Sequence, residues 1–470
     1  MVKLKRIREA VWRWREAARP FGRWLPLLLI ILVAALAYSS LSVSRHRHFS
    51  SSAFDLGVFD QAIWRYSRFE PPYNSFRTDR IDENILGDHF HPILLLLAPL
   101  YWFTDSVEAL LVAQALLFAI AALPIFLFTE KRVGRLAAYL FALSYSIYWG
   151  VQLAVEFDFH EIAFAVPLIA FAIYFIDEGR WRAYFACACL LLLTKEDLSV
   201  LVVFFGFYLI SLGHIRKGLI SAGLGAAWLF LALKLFIPFF SSKGGYRYWD
   251  YGTFGTGPLD SIRTIFRNPG LLIRTLVTPA TKLRTGWLIF SPFLFLACFS
   301  PLVILMIPLL AERFLSNIEH YWMPAFHYTA TISPVMAMAS ADALGRLSGL
   351  IKEIRVRRLL VTSLSFIILG INLYLLPSFP LWKLTDSAYR HRTPGDRAGY
   401  DALSIIPREA SVTAQNNIAP HLSHRRNLFL IKPLGFAPES DYIIASSEVS
   451  PYPFPDYKDI EAYLVSRQTG

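Results

Sequence analysis

Seven stretches of this chain stay apolar for long enough to cross a bilayer: residues 24–43, 107–128, 134–152, 161–177, 218–239, 325–343 and 359–378. A hydrocarbon core of about 30 Å takes roughly 20 apolar residues as a helix. Backbone polar groups in lipid must be satisfied within the segment that carries them. Runs of this kind therefore restrict the chain to a bundle of membrane helices. Composition agrees: 17% of the residues are charged, against about a quarter in soluble domains.

The net charge of +11 does not read as a nucleic-acid footprint, because its distribution points elsewhere. Residues 1–23 hold eight Lys/Arg against two Glu immediately before the first apolar run, which the positive-inside rule assigns to a cytoplasmic N-terminus. Run 24–43 is long enough to span and shows no clear small-residue cleavage site, so it is expected to be a retained span and not a signal peptide. Cys187, Cys189 and Cys298 all lie in apolar runs. Cys187 and Cys189, at i and i+2, do not share a helix face, so neither a disulfide nor a cysteine metal site is expected.

Two further apolar stretches are interrupted, 182–211 by Lys195-Glu196-Asp197 and 287–310 by prolines. Basic loops at 130–135, 178–182, 213–218 and 345–358 belong inside, and they do so only if each interrupted stretch is two short helices. The first pair is expected near 183–194 and 197–212. The fold class that follows is an α-helical polytopic membrane protein of about eleven transmembrane helices, N-terminus inside. Three parts are expected: a basic cytoplasmic segment 1–23, a transmembrane domain 24–378 with outer loops 44–106 and 240–285, and an extracytoplasmic α/β domain 379–470. Strands are expected at 410–415, 428–433 and 441–446, with a turn and helix at 416–425 between two of them.

With that parity, nearly all ionisable groups other than Lys and Arg gather on the outer face. They are Asp55 and Asp60; Asp88, His89 and His91 in "GDHFHP"; Glu156, Asp158, His160 and Glu161 in "EFDFHE"; Lys195, Glu196 and Asp197 in "TKED"; and Glu312, Arg313, Glu319, His320 and His327 in "AERFLSNIEHYWMPAFHY". Ionisable groups at a membrane edge are costly and point to function by default. Each cluster has a plainer reading. Asp55 and Asp60 could cap a helix, His89 and His91 could be interfacial polar residues, and "TKED" could be a self-neutralised charge cluster. Five clusters on one face favour a site.

The stretches "FDLGVFDQAIW", "GDHFHPILLLLAPLY", "FDFHEIAFAVPL", "LLLTKEDLSVLVVFFGFYLI", "FHYTATISP" and "PHLSHR" resemble the membrane family known as domain of unknown function 2079. That family is in turn similar to the GT-C superfamily of integral-membrane glycosyltransferases. The resemblance implies a GT-C-like fold in the cytoplasmic membrane of a prokaryote. It also implies a polyprenyl-phosphate sugar donor held with membrane lipid, and a glycan, lipid or protein acceptor on the extracytoplasmic face; nucleic acid is no partner. Asp55 occupies the place of the functional carboxylate in the first outer loop of those enzymes. His91-Pro92 is followed by Ile93 where a second proline is usual, which weakens any role carried over to His91. Asp55 is followed by Leu56, not Glu, so metal dependence does not carry over.

Transfer from a lipid-phosphate sugar needs a base for the acceptor hydroxyl, positive charge for the leaving phosphate and a groove for the lipid. Asp55 is assigned as the base, with Asp60 beside it. Lys195 and Arg65 are the phosphate partners. His89, His91, Glu156, Asp158, His160, Glu312, His327 and Tyr328 are expected to line the substrate site. Glu196 and Asp197 could orient Lys195 or bind a divalent cation such as Mg or Mn through oxygen. Asp55 is expected to face a cavity shared with at least two of His89, His91, His160 and Lys195. The aromatic, Gly-rich loop 241–258 suits a lid or a sugar-stacking surface. Two other classes stay open on the residues alone: a lipid or solute transporter or flippase, since interrupted helices also build transport sites, and a non-catalytic membrane scaffold.

Overall fold

The computed structural model describes residues 2–76, 83–242, 244–432 and 439–468. Residues 77–82 of the first outer loop, Lys243 of the aromatic loop, Pro433 of the second expected tail strand and tail residues 434–438 and 469–470 lie outside the described residues.

The chain is predominantly helical. Among the described residues, five helices are long and apolar enough to cross a membrane alone: Trp24–Arg47, Glu108–Val133, Arg135–Glu156, Ile215–Phe240 and Ile354–Ser378. Shorter apolar helices include Ile162–Asp177, Trp181–Thr194 and Leu198–Ser211. The first belongs to a single helix, Val2–Arg47, so the basic segment and the first apolar run are continuous. The run expected at 325–343 becomes helical only at Ile332. Phe326 takes a positive φ of 58°, and residues ahead of the helix form an irregular outer connection carrying His327 and Tyr328.

Both interrupted stretches break where their sequence demands it. Helix Trp181–Thr194 ends at Lys195, which is extended at φ −165°, and Leu198–Ser211 starts three residues later. Three consecutive charges would otherwise sit on a helix that is apolar on every side. In the second stretch, Ala280–Phe290 gives way to two short 3-10 turns joined at Leu294 and Phe295, both with φ 56°, before Val303–Leu315 resumes.

Small residues let the bundle close. Leu198–Ser211 and Ile215–Leu231 cross at Gly206 and Gly218, where a Cβ on either glycine would fall 2.6 Å from the other's carbonyl oxygen. This is the small-residue contact that brings membrane helices together. The helix Ile354–Leu375 stays peripheral and shows lipid a largely unburied surface.

Two small sheets lie outside the bundle. In the first outer loop β1 (Tyr73–Asn74) pairs antiparallel with β2 (Glu83–Asn84). In the tail β3 (Val412–Ala414) sits between β4 (Leu428–Leu430) and β5 (Tyr442–Ile444), all parallel. The expected helix at 416–425 is only a 3-10 turn, Ala419–Leu422; Pro420 and a string of side-chain contacts to the first outer loop replace a regular helix. Leu56, Ile63 and Phe76 of that loop share one apolar core with Val412, Ile418 and Leu428 of the tail.

Candidate active site

The break at Lys195 sets the site. Lys195 Nζ lies 3.1 Å from Asp197 Oδ2 and 3.8 Å from Glu161 Oε1. Burial opposes its charge, and Asp197 and Glu161 more than offset that, holding the ammonium above the ordinary lysine range. Glu196 turns the other way. Its Oε1 meets His89 Nδ1 at 2.6 Å and its Oε2 accepts the Phe90 N–H at 2.9 Å. Burial raises the Glu196 pKa, but His89 and Lys195 outweigh it and bring it down to about 2. Gly87 lets this loop pack on the backbone of Phe240 and Ser241, from which a Cβ there would stand 2.5 Å.

Two cavities share Lys195. The larger, about 350 Å³, is headed by His89, Lys195, Asp197 and Glu312 and runs down between apolar side chains such as Phe204, Leu233 and Ile307. The smaller, about 30 Å³, is lined by Lys195, Asp197, Glu312, Arg313, His327 and Tyr328. Glu312 stands on the last turn of Val303–Leu315, beyond the apolar run that ends at Leu310. Burial, with the facing carboxylate of Asp197, pushes its pKa up to about 8. The groove head thus holds the Lys195 ammonium beside two carboxyl groups, Asp197 and Glu312, whose pKa values burial raises.

Asp55 sits on a π-helical turn, Ala53–Gly57, of a kind that is rare and enriched at functional sites. The cap of that turn is Ser52, whose hydroxyl accepts the Phe54 N–H at 3.1 Å. The N–H groups of Gly57 and Val58 go to the carbonyls of Ser52 and Ala53, so the Asp55 carboxylate is not used as the cap. Its Oδ1 lies 3.4 Å from His160 Nε2. The His160 ring stacks on His327 at 4.0 Å between centroids, and His327 faces the smaller cavity. Asp55 itself lines neither cavity; it is linked through these two imidazoles to the smaller one, while its own side chain keeps 24% exposure.

Several expected site residues are placed elsewhere. Asp60 is fully buried, accepting hydrogen bonds from Tyr101 and Ser423, with His424 Nε2 at 3.1 Å; it offers no face to a substrate. Arg65 points at the tail, donating to the Arg426 carbonyl at 3.2 Å. Glu156 pairs with Lys383. Asp158 pairs with Arg45 and accepts the Ser52 N–H at 2.7 Å. His91 is buried against Phe59, and burial lowers its pKa to about 4, so it packs as a neutral ring. The structure brings together Asp55, His160, His327 and Tyr328 on one side, and His89, Lys195, Glu196, Asp197 and Glu312 on the other.

Arg313 and four tyrosines join the site without having been singled out for it. Arg313 is 1% exposed and donates to Thr329 and to the Met323 carbonyl at 2.6 Å. Tyr246, Tyr248, Tyr251 and Tyr321 crowd the groove head; Tyr248 stacks on His89 and donates to Asp88. The signal for Tyr246, Tyr248 and Tyr251 was the aromatic density of 246–251. Among the described residues no group of three or more His, Cys, Asp or Glu is arranged to hold a metal ion. Glu196 is committed to His89 and Asp197 to Lys195, so this donor set does not fit a resident divalent cation.

A profile for the family described as "Predicted membrane protein (DUF2079)" matches residues 45–454. Among solved structures the fold is similar to that of ArnT from Cupriavidus metallidurans bound to undecaprenyl phosphate, with a TM-score of 0.51 and 14% identity over 86% of this chain and 85% of that chain. ArnT from the same organism in the apo state gives a TM-score of 0.50 and 13% identity, covering 88% of this chain and 86% of that one. The oligosaccharyltransferase of Archaeoglobus fulgidus in the apo form gives 0.45 and 13%, covering 86% and 64%. No curated protein sequence matches this chain. At these identities the likeness is one of fold: the chain is a predominantly helical membrane protein whose fold resembles that of ArnT.

Proposed function

Because this chain belongs to the DUF2079 family of predicted membrane proteins and shares its fold with ArnT, we propose that it is a membrane glycosyltransferase. It moves a sugar from a polyprenyl-phosphate-linked donor to an acceptor on the extracytoplasmic face. One observation carries the reading: a solvent-reachable carboxylate, Asp55, is joined through the stacked His160 and His327 to a small cavity that shares the buried Lys195 with the head of an apolar groove.

The chemistry divides between those two ends. A polyprenyl tail suits the apolar wall of the groove, which places the donor phosphate against Lys195. The acceptor reaches Asp55 from the aqueous side. Asp55 takes the proton of the acceptor hydroxyl as its oxygen bonds the anomeric carbon. The bond from that carbon to the phosphate oxygen breaks, and its electron pair leaves with the phosphate, facing the Lys195 ammonium. His160 Nδ1 lies 3.3 Å from the Asp158 carbonyl; when that nitrogen donates there, Nε2 can take the proton on from Asp55. No step is routed through a metal ion.

Purified protein in nanodiscs, supplied with undecaprenyl-phosphate-linked sugars and envelope glycan or lipid acceptors, is expected to consume donor and release undecaprenyl phosphate. Movement of intact donor between leaflets with no release would replace the transferase with a flippase.

A further inference from the structure

The tail has no part in the chemistry above, yet it holds the loop that does. The Ala53 N–H is shared between the side-chain oxygen of Asn416, at 3.0 Å, and its backbone carbonyl, at 3.1 Å. The Ser52 hydroxyl lies 3.2 Å from the same side-chain oxygen. Asn416 is 4% exposed, and its amide is turned to Asn417. Further along, the Gln61 side chain donates to the Arg425 carbonyl at 2.9 Å, and Ser75 donates to the Leu428 carbonyl.

These contacts converge on a turn that needs support. A π-turn is a rare geometry, and its leading N–H groups have no partner within the helix. Here the first of them, that of Ala53, is satisfied among the described residues only by Asn416. Ser52 is fixed from three sides: its N–H by Asp158, its hydroxyl by Asn416 and its carbonyl by Gly57. Asp55 follows three residues after Ser52. The residue type also fits, since a neutral amide supplies an acceptor where an aspartate would add a further carboxylate beside Asp158 and Asp55.

We infer that Asn416 is a positioning residue for Asp55, and that the C-terminal unit is the fixed strut against which the Asp55 turn is set. The catalytic meaning of this rests on the transferase reading; the mechanical part does not. Fixing a reactive group in place is a recognised source of rate, and small displacements are costly.

The test uses the full-length protein in nanodiscs, comparing wild type, Asn416→Ala and Ser52→Ala, which removes the Ser52–Asn416 contact from the loop side together with the Ser52 cap on the Phe54 N–H, without touching the tail. Both variants are expected to raise amide exchange at residues 53–58 at least about tenfold, while β3 and β4 stay within about twofold of wild type. The Kd for undecaprenyl phosphate, used as the probe, stays within about twofold. With a donor that turns over, Asn416→Ala lowers kcat about tenfold at unchanged KM and adds nothing to Asp55→Asn. Unchanged exchange at 53–58, exchange that rises equally in β3 and β4, or a further loss on top of Asp55→Asn overturns the inference. Failure of undecaprenyl phosphate to bind wild type counts against the transferase reading alone, and exchange still decides the role of Asn416.

Discussion

Asp55 and Asp60 stand five residues apart in one aromatic stretch, and the fold treats them in opposite ways. Asp55 keeps a quarter of its side chain exposed and faces an imidazole. Asp60 is sealed beneath the tail, where Tyr101, Ser423 and His424 use both of its oxygens. The difference comes from geometry: Asp55 rides the π-turn at the loop's outer corner, whereas Asp60 lies on the regular helix Val58–Ser67, whose residues are nearly all buried. A carboxylate that must react needs an open side; one that must hold needs all its lone pairs taken.

The comparison breaks most sharply at Asp55. Asp55→Asn keeps the size but removes the base and the charge. Transfer is expected to fall about 10²-fold or more, the scale of a lost general base, with the thermal transition nearly unmoved. Full activity in this variant, or a stability loss matching the activity loss, would return Asp55 to a structural part.

Next comes the groove side. Lys195→Met removes the one cation that both cavities share. Charge-assisted hydrogen bonds contribute about 1.5–3 kcal/mol, so the Kd for undecaprenyl phosphate is expected to rise about 10–10²-fold, with Lys195→Arg recovering part of it. Asp197 and Glu161 lose their counter-charge in this variant, so affinity is compared on folded protein only. An unchanged Kd would move the phosphate away from Lys195.

How far this contrast could be read from the chain varies residue by residue. The break at Lys195 was legible, because three successive charges inside a 30-residue apolar run leave no face on which a membrane helix could bury them. The strands of the tail were legible from short β-branched runs between turn residues. The burial of Asp60 was not legible, because it depends on Ser423 and His424, which are more than 360 positions away. Likewise "EFDFHE" announces four polar residues without saying which way each points, and Glu161 turns to Lys195. The fold sends Glu156 to Lys383, Asp158 to Arg45 and only His160 to Asp55. Arg313 was visible as a charge beside Glu312; its place in the smaller cavity depends on how Met323 and Thr329 wrap around it.

A smaller effect, legible in pH, separates the two ends of the site. Glu312 has its pKa raised from 4.5 to about 8. Between those values the unfolded chain has lost the proton that the folded protein keeps, so stability falls as pH rises and levels off above 8. The slope for one group is at most about 1.4 kcal/mol per pH unit. Thermal melts from pH 5 to 9 are expected to show this decline in wild type and a flatter profile in Glu312→Gln. Parallel profiles would mean that Glu312 is ionised in the folded protein.

The smallest effect on transfer is expected at Asp60, although its effect on the fold is not small. Asp60→Asn replaces one acceptor oxygen with an amide that points at groups already donating, and it removes the counter-charge of His424. Hydrogen bonds to charged groups contribute about 1.5–3 kcal/mol, so a stability loss of about 1–3 kcal/mol is expected, while activity of the folded fraction stays within a few-fold. Burial works against charge on His424, and Asp60 with Asp105 more than offsets it, so its imidazole is held above the ordinary histidine range. A histidine raised on folding contributes stability that is full below its unfolded value and is lost as pH rises through its folded value. Docking of the tail on Val58–Ser67 is therefore expected to weaken with rising pH in wild type, and to lose much of that dependence in Asp60→Asn. Limited proteolysis of the tail at pH 6 and pH 8.5 reads this directly. If Asp60→Asn instead abolishes transfer while the tail stays as protected as in wild type, the two aspartates act together, and the division between a reacting carboxylate and a holding one is wrong.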